Sequence, residues 1–302
     1  MPAVNDSFFL GLDAGGTQTR WAVANSSGTL QAQGEAAGLS SLQLHDAAGI
    51  AAVTATLRGI AAATGPVHGA VAGVTGFDAA QGPLWCSLIA DAWSIKAAQV
   101  LAVSDIELTC QAAFAPGAGY VVYAGTGSVA AFIDAQGALH RAGGRGAVID
   151  DAGGGHWIAR EALRQVWRAE DEAPGAWQQS ALARRLFDHI GGSDWAQTRS
   201  WVYGATRGEL GTLALAVAAA ADADPHALAI LQAAGAELAR LAGTLLRRHG
   251  PRPVALAGRV FDLHPSIQAQ LQQALPAGTA LHRLTATAQA AAARLAAART
   301  QP

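Results

Sequence analysis

A glycine-rich stretch near the start of the chain, LDAGGTQTR, could bind an anion. It follows the apolar run SFFLG and places Asp13, Gly15 and Gly16 in quick succession. Glycines leave backbone N–H groups uncovered, and such amides form concave anion-binding turns. The hydroxyl groups of Thr17 and Thr19 add further donors. Taken alone, the stretch is more typical of an ordinary turn between two strands, so its interpretation depends on the rest of the chain.

A second glycine-rich turn, AGTGS, contains Gly125, Thr126, Gly127 and Ser128. A shift of 109 residues (125 − 16) places Gly16 on Gly125 without a gap, and it also places the later turn NSSG on DAQG. The same order of strand, turn, strand, turn and strand surrounds both stretches, which indicates duplication of one α/β unit. Two such hairpins, one in each unit, could hold a polyphosphate from both sides of a cleft.

Two aspartates lie where predicted strands end. Asp13 would repel phosphates at the first hairpin unless it holds Mg²⁺, directly or through water. Asp105 follows the strand sequence VLAVS and begins a predicted helix. It is either an N-cap, a role that Ser104 also suits, or a general base at the carboxyl edge of a parallel sheet. Spacing alone favours the cap, and both interpretations stay open at this point.

The positions of these residues depend on an alternation of strands and helices. Apolar runs separated by turn residues predict three strands near the N-terminus, followed by helix, strand, helix, strand and helix. The pattern restarts at Gly119, and the sequence after the second hairpin is mostly helical. Alternation of this kind predicts an α/β fold with mostly parallel sheets. We expect a first domain over 1–117 and a second, with helical insertions, over 118–284, while a helix over 285–302 packs back on the first.

The composition argues against several classes of protein. The chain has 302 residues, 51% of them hydrophobic, and a net charge of −2, so it offers no basic surface for nucleic acid. The N-terminal sequence lacks the features of a signal peptide, and the most apolar stretch, 211–221, is too short to cross a bilayer. Cys86 and Cys110 form no metal-binding motif, which indicates reduced thiols. We expect a cytoplasmic protein that binds neither nucleic acid nor membrane.

Taken together, the motifs resemble those of the actin-like sugar kinases and ATPases, in particular the branch of N-acetylglucosamine kinases and benzoyl-CoA reductase activators. The resemblance covers most of the chain and rests on the segments LDAGGTQTR, VAGVTGFD, VSDIELTCQAAFAPGAGYVVYAGTGS, AGGRGAVIDDAGGGHWIAREAL and VALAGRVF, in this order. It implies duplicated actin-like, or ribonuclease H-like, ATPase domains with a cleft between them. It also implies ATP as the cofactor, a sugar as the substrate and a homodimer as the assembly.

The resemblance further implies a role for each residue of the two hairpins. The first phosphate loop would comprise Asp13, Gly15, Gly16, Thr17 and Thr19, and the second Gly125, Thr126, Gly127 and Ser128. Asp13 would also hold the Mg²⁺ ion. Asp105 is similar to the family's base, which takes the proton from the sugar hydroxyl, and Gly258 to the glycine of the adenosine loop. For Asp105 the resemblance therefore favours the base over the cap.

The segment after the second hairpin departs from the family pattern. Hexosamine kinases typically carry GGWGH and GDEG there, whereas this chain has GGRGAVIDDAGG. The replaced positions are Arg145, Ala147 and Ala152. Asp151 keeps the family's aspartate and is a candidate ligand of a sugar hydroxyl, with a solvated loop acid as the alternative. Gly144 and Ser41, the latter in GLSS where the family has an asparagine, are the other substrate candidates for an amino sugar such as N-acetylglucosamine or a related hexosamine.

Two other functions are compatible with a fold of this kind. The reductase activators are ATPases that switch a partner protein, and they use two cysteines placed after the second phosphate loop. Cys86 and Cys110 both precede that loop, so they do not match. Related sugar-responsive repressors carry a DNA-binding module before the first phosphate loop, for which the first 13 residues leave no room. The sequence therefore favours the kinase.

Overall fold

The computed structural model describes residues 7–16 and 18–299. These residues form two units, each with its own sheet. The first unit runs to Ala115 and resumes at Thr285, and the second comprises Pro116–Leu284. The chain therefore leaves the first unit once and returns to it at its C-terminal end.

The sheet of the first unit has five strands in the order β3-β2-β1-β4-β5. The strands are β1 (Phe8–Ala14), β2 (Gln18–Asn25), β3 (Leu30–Ala37), β4 (Gly69–Val74) and β5 (Val100–Ser104). The pairs β1–β2 and β2–β3 are antiparallel, whereas the pairs β1–β4 and β4–β5 are parallel. All six residues of β4 are buried, as expected for a central parallel strand covered on both faces.

Four helices accompany this sheet: α1 (Ala47–Thr64), α2 (Gly82–Trp93), α3 (Asp105–Ala113) and α10 (Ala288–Arg299). One apolar core contains residues of α1 and α2, and a separate core contains residues of α3 and α10. Helix α10 lies so close to β1 that a Cβ atom at Gly11 would overlap the backbone of Gln289. The C-terminal helix is thus part of the first unit's core.

Helix α1 has a mean hydropathy of 1.3 over 18 residues. By length and composition it is apolar enough to cross a membrane, and it is the one such helix in the part of the chain that the structure describes. A single helix of this kind is weak evidence for a membrane span.

The second unit repeats the strand order and directions of the first. Its strands are β6 (Tyr120–Ala124), β7 (Ser128–Ile133), β8 (Leu139–Gly143), β9 (Val254–Ala257) and β10 (Leu281–Arg283). They lie in the order β8-β7-β6-β9-β10, with β9 parallel to β6 and to β10 and the other pairs antiparallel. The predicted duplicated α/β fold is confirmed.

Most of the second unit's helices lie between β8 and β9. They are α4 (Gly155–Glu172), α5 (Ala181–Ile190), α6 (Trp195–Gly204), α7 (Arg207–Ala220) and α8 (Pro225–His249), while α9 (Pro265–Ala274) follows β9. One large apolar core joins these helices to the sheet through Tyr120, Val122 and Leu256. The long α8 is anchored at its start by Asp224, which is 5% exposed.

The turns Asn25–Gly28 and Asp134–Gly137 lie 109 residues apart and have the same hydrogen bonds. In each, the glycine N–H donates to the carbonyl oxygen of the first residue. The side-chain oxygen of that first residue accepts the N–H groups two and four positions later. The predicted shift therefore describes these turns correctly.

The shift does not hold through the glycine hairpins. Ala14 pairs with Thr19, whereas Ala124 pairs with Ser128, so the second hairpin is one residue shorter. The expected gap-free match is thus wrong at this point, because strand register aligns Ala14 with Ala124. The strand position of Asp13 is consequently taken by Tyr123 in the second unit.

Asp224 joins the starts of two helices in the second unit. Its carboxylate accepts hydrogen bonds from Ser180 Oγ (2.9 Å), Leu182 N (2.9 Å) and His226 N (3.0 Å). Burial alone would raise the pKa of Asp224, but these bonds outweigh it and hold the pKa below its ordinary value of 3.8. The charged form therefore stabilises the folded state.

We predict that Asp224→Asn destabilises the protein at pH 7 by about 1–2 kcal/mol, because an amide offers fewer acceptors to the two helix starts. Since the folded pKa is lowered, the difference from the parent chain should shrink as the pH falls below 3.8. Urea unfolding at several pH values measures this. Asp194→Asn is the matched control, since the Asp194 side chain caps α6 by accepting a single hydrogen bond in the described part of the chain, from Gln197 N–H. Equal losses in the two variants would contradict the prediction.

Candidate active site

The first glycine hairpin joins β1 to β2. Its turn is closed by a hydrogen bond from Gly15 N–H to the Gln18 carbonyl (3.2 Å), and the Gly15 carbonyl accepts from Leu39 N–H (3.0 Å). The N–H of Gly16 has no hydrogen-bond partner among residues 7–16 and 18–299. This amide is therefore available to an anion, as the sequence predicts. The predicted ligand Thr17 lies outside the described residues.

Thr19 lies at the start of the second strand of this hairpin and is fully buried. Its hydroxyl oxygen has no hydrogen-bond partner in the described part of the chain. An unpaired buried hydroxyl costs free energy, so packing alone does not explain why a threonine occupies this position. As a direct phosphate ligand Thr19 remains a prediction, because its side chain is covered.

Asp13 and Asp105 belong to the same edge of the first sheet. Asp13 is the penultimate residue of β1, and Asp105 directly follows the last residue of β5. The helix cap at this point is Ser104, whose Oγ accepts the Glu107 N–H (3.2 Å). Asp105 is thus the first residue of α3, and one carboxylate oxygen accepts the Ile106 N–H (2.7 Å). Because Ser104 caps the helix, the cap interpretation of Asp105 is not needed.

The two carboxylates also influence each other electrostatically. Burial raises the pKa of Asp13 above its ordinary value of 3.8. Arg20, 3.9 Å away, opposes this rise, and the charge of Asp105 adds to it. Asp13 therefore carries its negative charge at some cost to stability, as expected of a group positioned to receive a cation.

The carboxylate of Asp13 fits the part of a single protein ligand to a magnesium ion. Mg²⁺ in phosphate-transfer sites keeps several waters and takes one or two protein carboxylates. Asp13 provides such a carboxylate, 25% exposed. No group of three or more His, Cys, Asp or Glu side chains among the described residues could form a closed protein cage.

The second glycine hairpin joins β6 to β7 and is hydrogen-bonded to the start of helix α4. The carbonyl oxygens of Gly125 and Thr126 accept the N–H groups of Gly155 (2.8 Å) and His156 (3.0 Å) at the start of α4. Gly125 N–H closes the turn on the Gly127 carbonyl (2.9 Å). The N–H groups of Thr126 and Gly127 make no hydrogen bond within the described chain. The hairpin therefore presents open amides while its carbonyls are occupied.

Asp151 pins the loop between β8 and α4. It has a left-handed backbone (φ 58°) and is 5% exposed. One carboxylate oxygen accepts the Gly146 N–H (3.1 Å), and the other pairs with the guanidinium of Arg207. The alternative interpretation of Asp151 as a solvated loop acid is therefore wrong, because the carboxylate is buried and has two partners. Its predicted contact with a sugar hydroxyl is not tested by these bonds.

The other residues of this loop lie close to the second hairpin. Ser128, a predicted phosphate ligand, is buried and donates its hydroxyl to the Ala152 carbonyl (2.7 Å). Gly144 donates its N–H to the Ser128 carbonyl (3.0 Å) and has a positive φ of 66°. Val148 and Ile149 form an exposed tip, 98% and 79% accessible. The structure thus uses Ser128 to join hairpin and loop.

Gly258 follows β9 and lies against the base of the second hairpin. Its φ is 95°, and a Cβ atom there would overlap the backbone of Ala124. Arg283 donates to its carbonyl oxygen (3.3 Å). The residue predicted for the adenosine loop is therefore at the same sheet edge as the second hairpin, and only glycine fits.

Ser41 is buried in the first unit, where its hydroxyl accepts the Trp85 indole N–H (2.9 Å) and its N–H donates to the Thr75 carbonyl (3.2 Å). These bonds give Ser41 a structural role, and its contact with a substrate stays a prediction.

Arg207 was missed by sequence reasoning. Its surroundings, Thr206 and Glu209, form a capping box that predicts a helix start, but nothing in that pattern indicates a partner 56 positions away.

The chain belongs to the BadF/BadG/BcrA/BcrD ATPase family, whose pattern matches residues 10–280. The resemblance noted from the sequence motifs is thereby confirmed. No curated protein sequence matches the chain.

Solved structures share the fold over nearly the whole chain. A proposed N-acetylglucosamine kinase from Chromobacterium violaceum is 28% identical, with a TM-score of 0.73, covering 97% of this chain and 99% of that one. A proposed N-acetylglucosamine kinase from Porphyromonas gingivalis is 16% identical, with a TM-score of 0.74, over 94% and 96%. A ROK family glucokinase from Streptomyces griseus, bound to glucose and AMPPNP, is 15% identical, with a TM-score of 0.61, over 97% and 99%. The last two show the fold alone, which is that of the actin-like sugar kinases.

We predict that Gly258→Ala destabilises the protein far more than Gly278→Ala. Both glycines have a positive φ (95° and 81°), so each substitution adds a strained backbone, worth about 1–2 kcal/mol. Only at Gly258 does the new methyl group also meet backbone atoms, whereas Gly278 has open space. Thermal unfolding of both variants measures the difference. Equal melting temperatures would show that the contact with Ala124 is unimportant.

We predict that Asp13→Asn is more stable than the parent chain at pH 7. Folded Asp13 keeps its proton to a higher pH than the unfolded chain does, so the free energy of unfolding falls as the pH rises above 3.8. The neutral amide removes this loss, and the advantage should disappear as the pH falls below 3.8. Urea unfolding across this range, with the exposed Asp188→Asn as control, measures it. A destabilised Asp13→Asn variant at pH 7 would contradict the sign.

Proposed function

We propose that the protein is an ATP-dependent phosphotransferase that phosphorylates a hydroxyl group of an amino sugar, N-acetylglucosamine or a related hexosamine. The observation that carries the proposal is the carboxylate of Asp105, which lies at the same edge of the sheet as Asp13 while Ser104 supplies the helix cap. Membership of an ATPase family and likeness to proposed N-acetylglucosamine kinases support it. A kinase needs a base for its acceptor and donors for its phosphates, and we assign these roles to Asp105 and to the unpaired amides of the two hairpins.

In this mechanism, each unit supplies different groups. Asp105 accepts the proton of the sugar hydroxyl while the oxygen of that hydroxyl forms a bond to the γ-phosphorus of ATP. The bond from that phosphorus to the bridging oxygen breaks, and ADP leaves. Amides of Gly16, Thr126 and Gly127 donate to the phosphates. A Mg²⁺ ion held through Asp13 would neutralise phosphate charge, which is the chemistry it supplies in such sites.

The identity of the sugar is the finer part of the proposal. Asp151 and Gly144 lie in the loop that departs from the hexosamine kinase pattern at Arg145, Ala147 and Ala152. These departures replace an indole, an imidazole and a carboxylate, so three polar or stacking contacts of that pattern are missing. We therefore expect an acceptor that is bound with fewer direct side-chain hydrogen bonds than in those kinases.

A coupled assay of ADP release, run over hexoses, hexosamines, N-acetylhexosamines and muramic acid derivatives, tests the proposal. An N-acetylhexosamine that stimulates ADP release, with a sugar phosphate found by mass spectrometry, supports it. ATP hydrolysis that no sugar stimulates would instead favour an ATPase that switches a partner protein. Cys86 and Cys110 both lie in the first unit, whereas the reductase activators have their two cysteines after the second phosphate loop. The cysteines therefore give the partner-switching alternative no support.

We predict that Asp105→Asn lowers kcat for sugar phosphorylation by about 10²–10⁴-fold, because the general base is lost. The affinity for ATP should stay close to that of the parent chain, since the amide keeps the size of the side chain. Steady-state kinetics and calorimetric ATP titration measure the two quantities. Glu107→Gln, a neighbouring acid on α3, is the matched control. A near-normal kcat in Asp105→Asn would remove Asp105 from this role.

The proposal includes a cytoplasmic homodimer, as the family resemblance implies. Light scattering coupled to size-exclusion chromatography measures the assembly. A monomer at micromolar concentration would contradict this part and leave the reaction unaffected.

A further inference from the structure

The guanidinium of Arg207 lies directly on the second glycine hairpin. Arg207 is the first residue of α7, after the N-cap Thr206. A Cβ atom placed on Gly127 would collide with the Arg207 guanidinium and with the Asp151 carboxylate. Gly127 is therefore glycine because this ion pair occupies the space beside it, and the positive charge is fixed next to the open amides of the hairpin.

Arg207 retains hydrogen-bonding capacity beyond its pair with Asp151. Its side chain is 46% exposed, whereas that of Asp151 is 6% exposed. A guanidinium carries five N–H donors, and within residues 7–16 and 18–299 the bond to Asp151 uses one of its terminal nitrogens. A structural ion pair alone would not need a half-exposed cation beside two unpaired backbone amides.

The carboxylate of Asp151 fixes the orientation of this cation. It is held by Gly146 N–H and by the left-handed backbone of its own loop, and it reaches Arg207 across the hairpin. Planar guanidinium groups bind phosphate oxygens through parallel N–H donors, and an orientation set in advance reduces the entropy lost on binding.

The charge of Arg207 also acts on His156 at the start of α4. The pKa of His156 is lowered, first by burial and then by the charges of Arg207 and Arg160. His156 therefore tends to its neutral form, which leaves Arg207 as a permanent cation close to the hairpin.

We propose that Arg207 is a phosphate-binding residue of the second hairpin, where its guanidinium and the amides of Thr126 and Gly127 together bind the phosphate chain of ATP. This inference rests on the proposed function only in taking ATP as the ligand. Asp151 is then a positioning residue for Arg207, in addition to any contact that it makes with a sugar.

The test compares Arg207→Ala with Asp151→Asn by calorimetric titration of ATP, ADP and adenosine with Mg²⁺ and without sugar. If Arg207 binds phosphate, Arg207→Ala weakens ATP binding tenfold or more and leaves adenosine binding within twofold. Asp151→Asn then weakens ATP binding less than Arg207→Ala does, because the cation remains and only its fixed orientation is lost. If Arg207 only holds the loop, the two variants weaken ATP binding equally, and the proposal is overturned.

Arg240→Ala is the matched control. Arg240 also pairs with a loop acid, Asp150 (3.2 Å), and its side chain is 48% exposed, but it does not contact Gly127. Its removal should leave ATP binding within twofold. A loss as large as that of Arg207→Ala would overturn the proposal, because loop support would then explain both.

Arg207→Lys and Arg207→Gln keep the inference testable if the alanine variant does not fold. Charge binding predicts that the lysine variant retains ATP affinity between the parent and the glutamine variant, and equal affinities contradict it. A parent chain that binds no ATP would instead remove the proposed function itself. A parent chain that binds ATP as tightly as Arg207→Ala removes only the inference.

Discussion

The hydrogen bonds from the start of α4 to the second glycine hairpin are the interaction on which the second unit's site depends. By occupying the carbonyls of Gly125 and Thr126, the amides of Gly155 and His156 fix which way the hairpin faces. The N–H groups of Thr126 and Gly127 stay without a partner in the described residues and are left for an anion. The backbones approach so closely that a Cβ atom at Gly154 would overlap Gly127. Helix, hairpin and loop thus form one rigid support.

The two units share a fold but have become chemically different. Strand register places Tyr123 where the first unit has Asp13, so only one of the two hairpins has an acid at the end of its preceding strand. Conversely, the second hairpin has Arg207 beside it, and the nearby acid, Asp151, is paired with that arginine. The two hairpins therefore differ in local charge, with a carboxylate at the first and a guanidinium at the second.

The fold could be predicted largely from sequence, because strand and helix patterns and glycine turns are local signals. The repeated turns at 25–28 and 134–137 gave the correct offset. The one-residue difference between the hairpins could not be detected, since only hydrogen-bonded register reveals it. The glycines and Asp105 were placed by motif, but the partner of Asp151 could not be, because the pair joins residues 56 positions apart. Likewise, burial of Ser41, Thr19 and Ser128 follows from packing that short motifs do not encode.

The position of α10 has a consequence for how the chain acquires its structure during synthesis. Because Gly11 lies against Gln289 and Ala293 of α10, the first unit's core stays incomplete until α10 has been synthesised and has left the ribosome. The second unit, continuous from Pro116 to Leu284, has all of its elements available earlier. Before α10 is made, one face of the β1–β5 sheet is covered only in part, by α3, and the exposed apolar surface favours aggregation and chaperone binding. Truncation of a few C-terminal turns would damage the N-terminal half of the protein before it affected the half that is nearer in sequence.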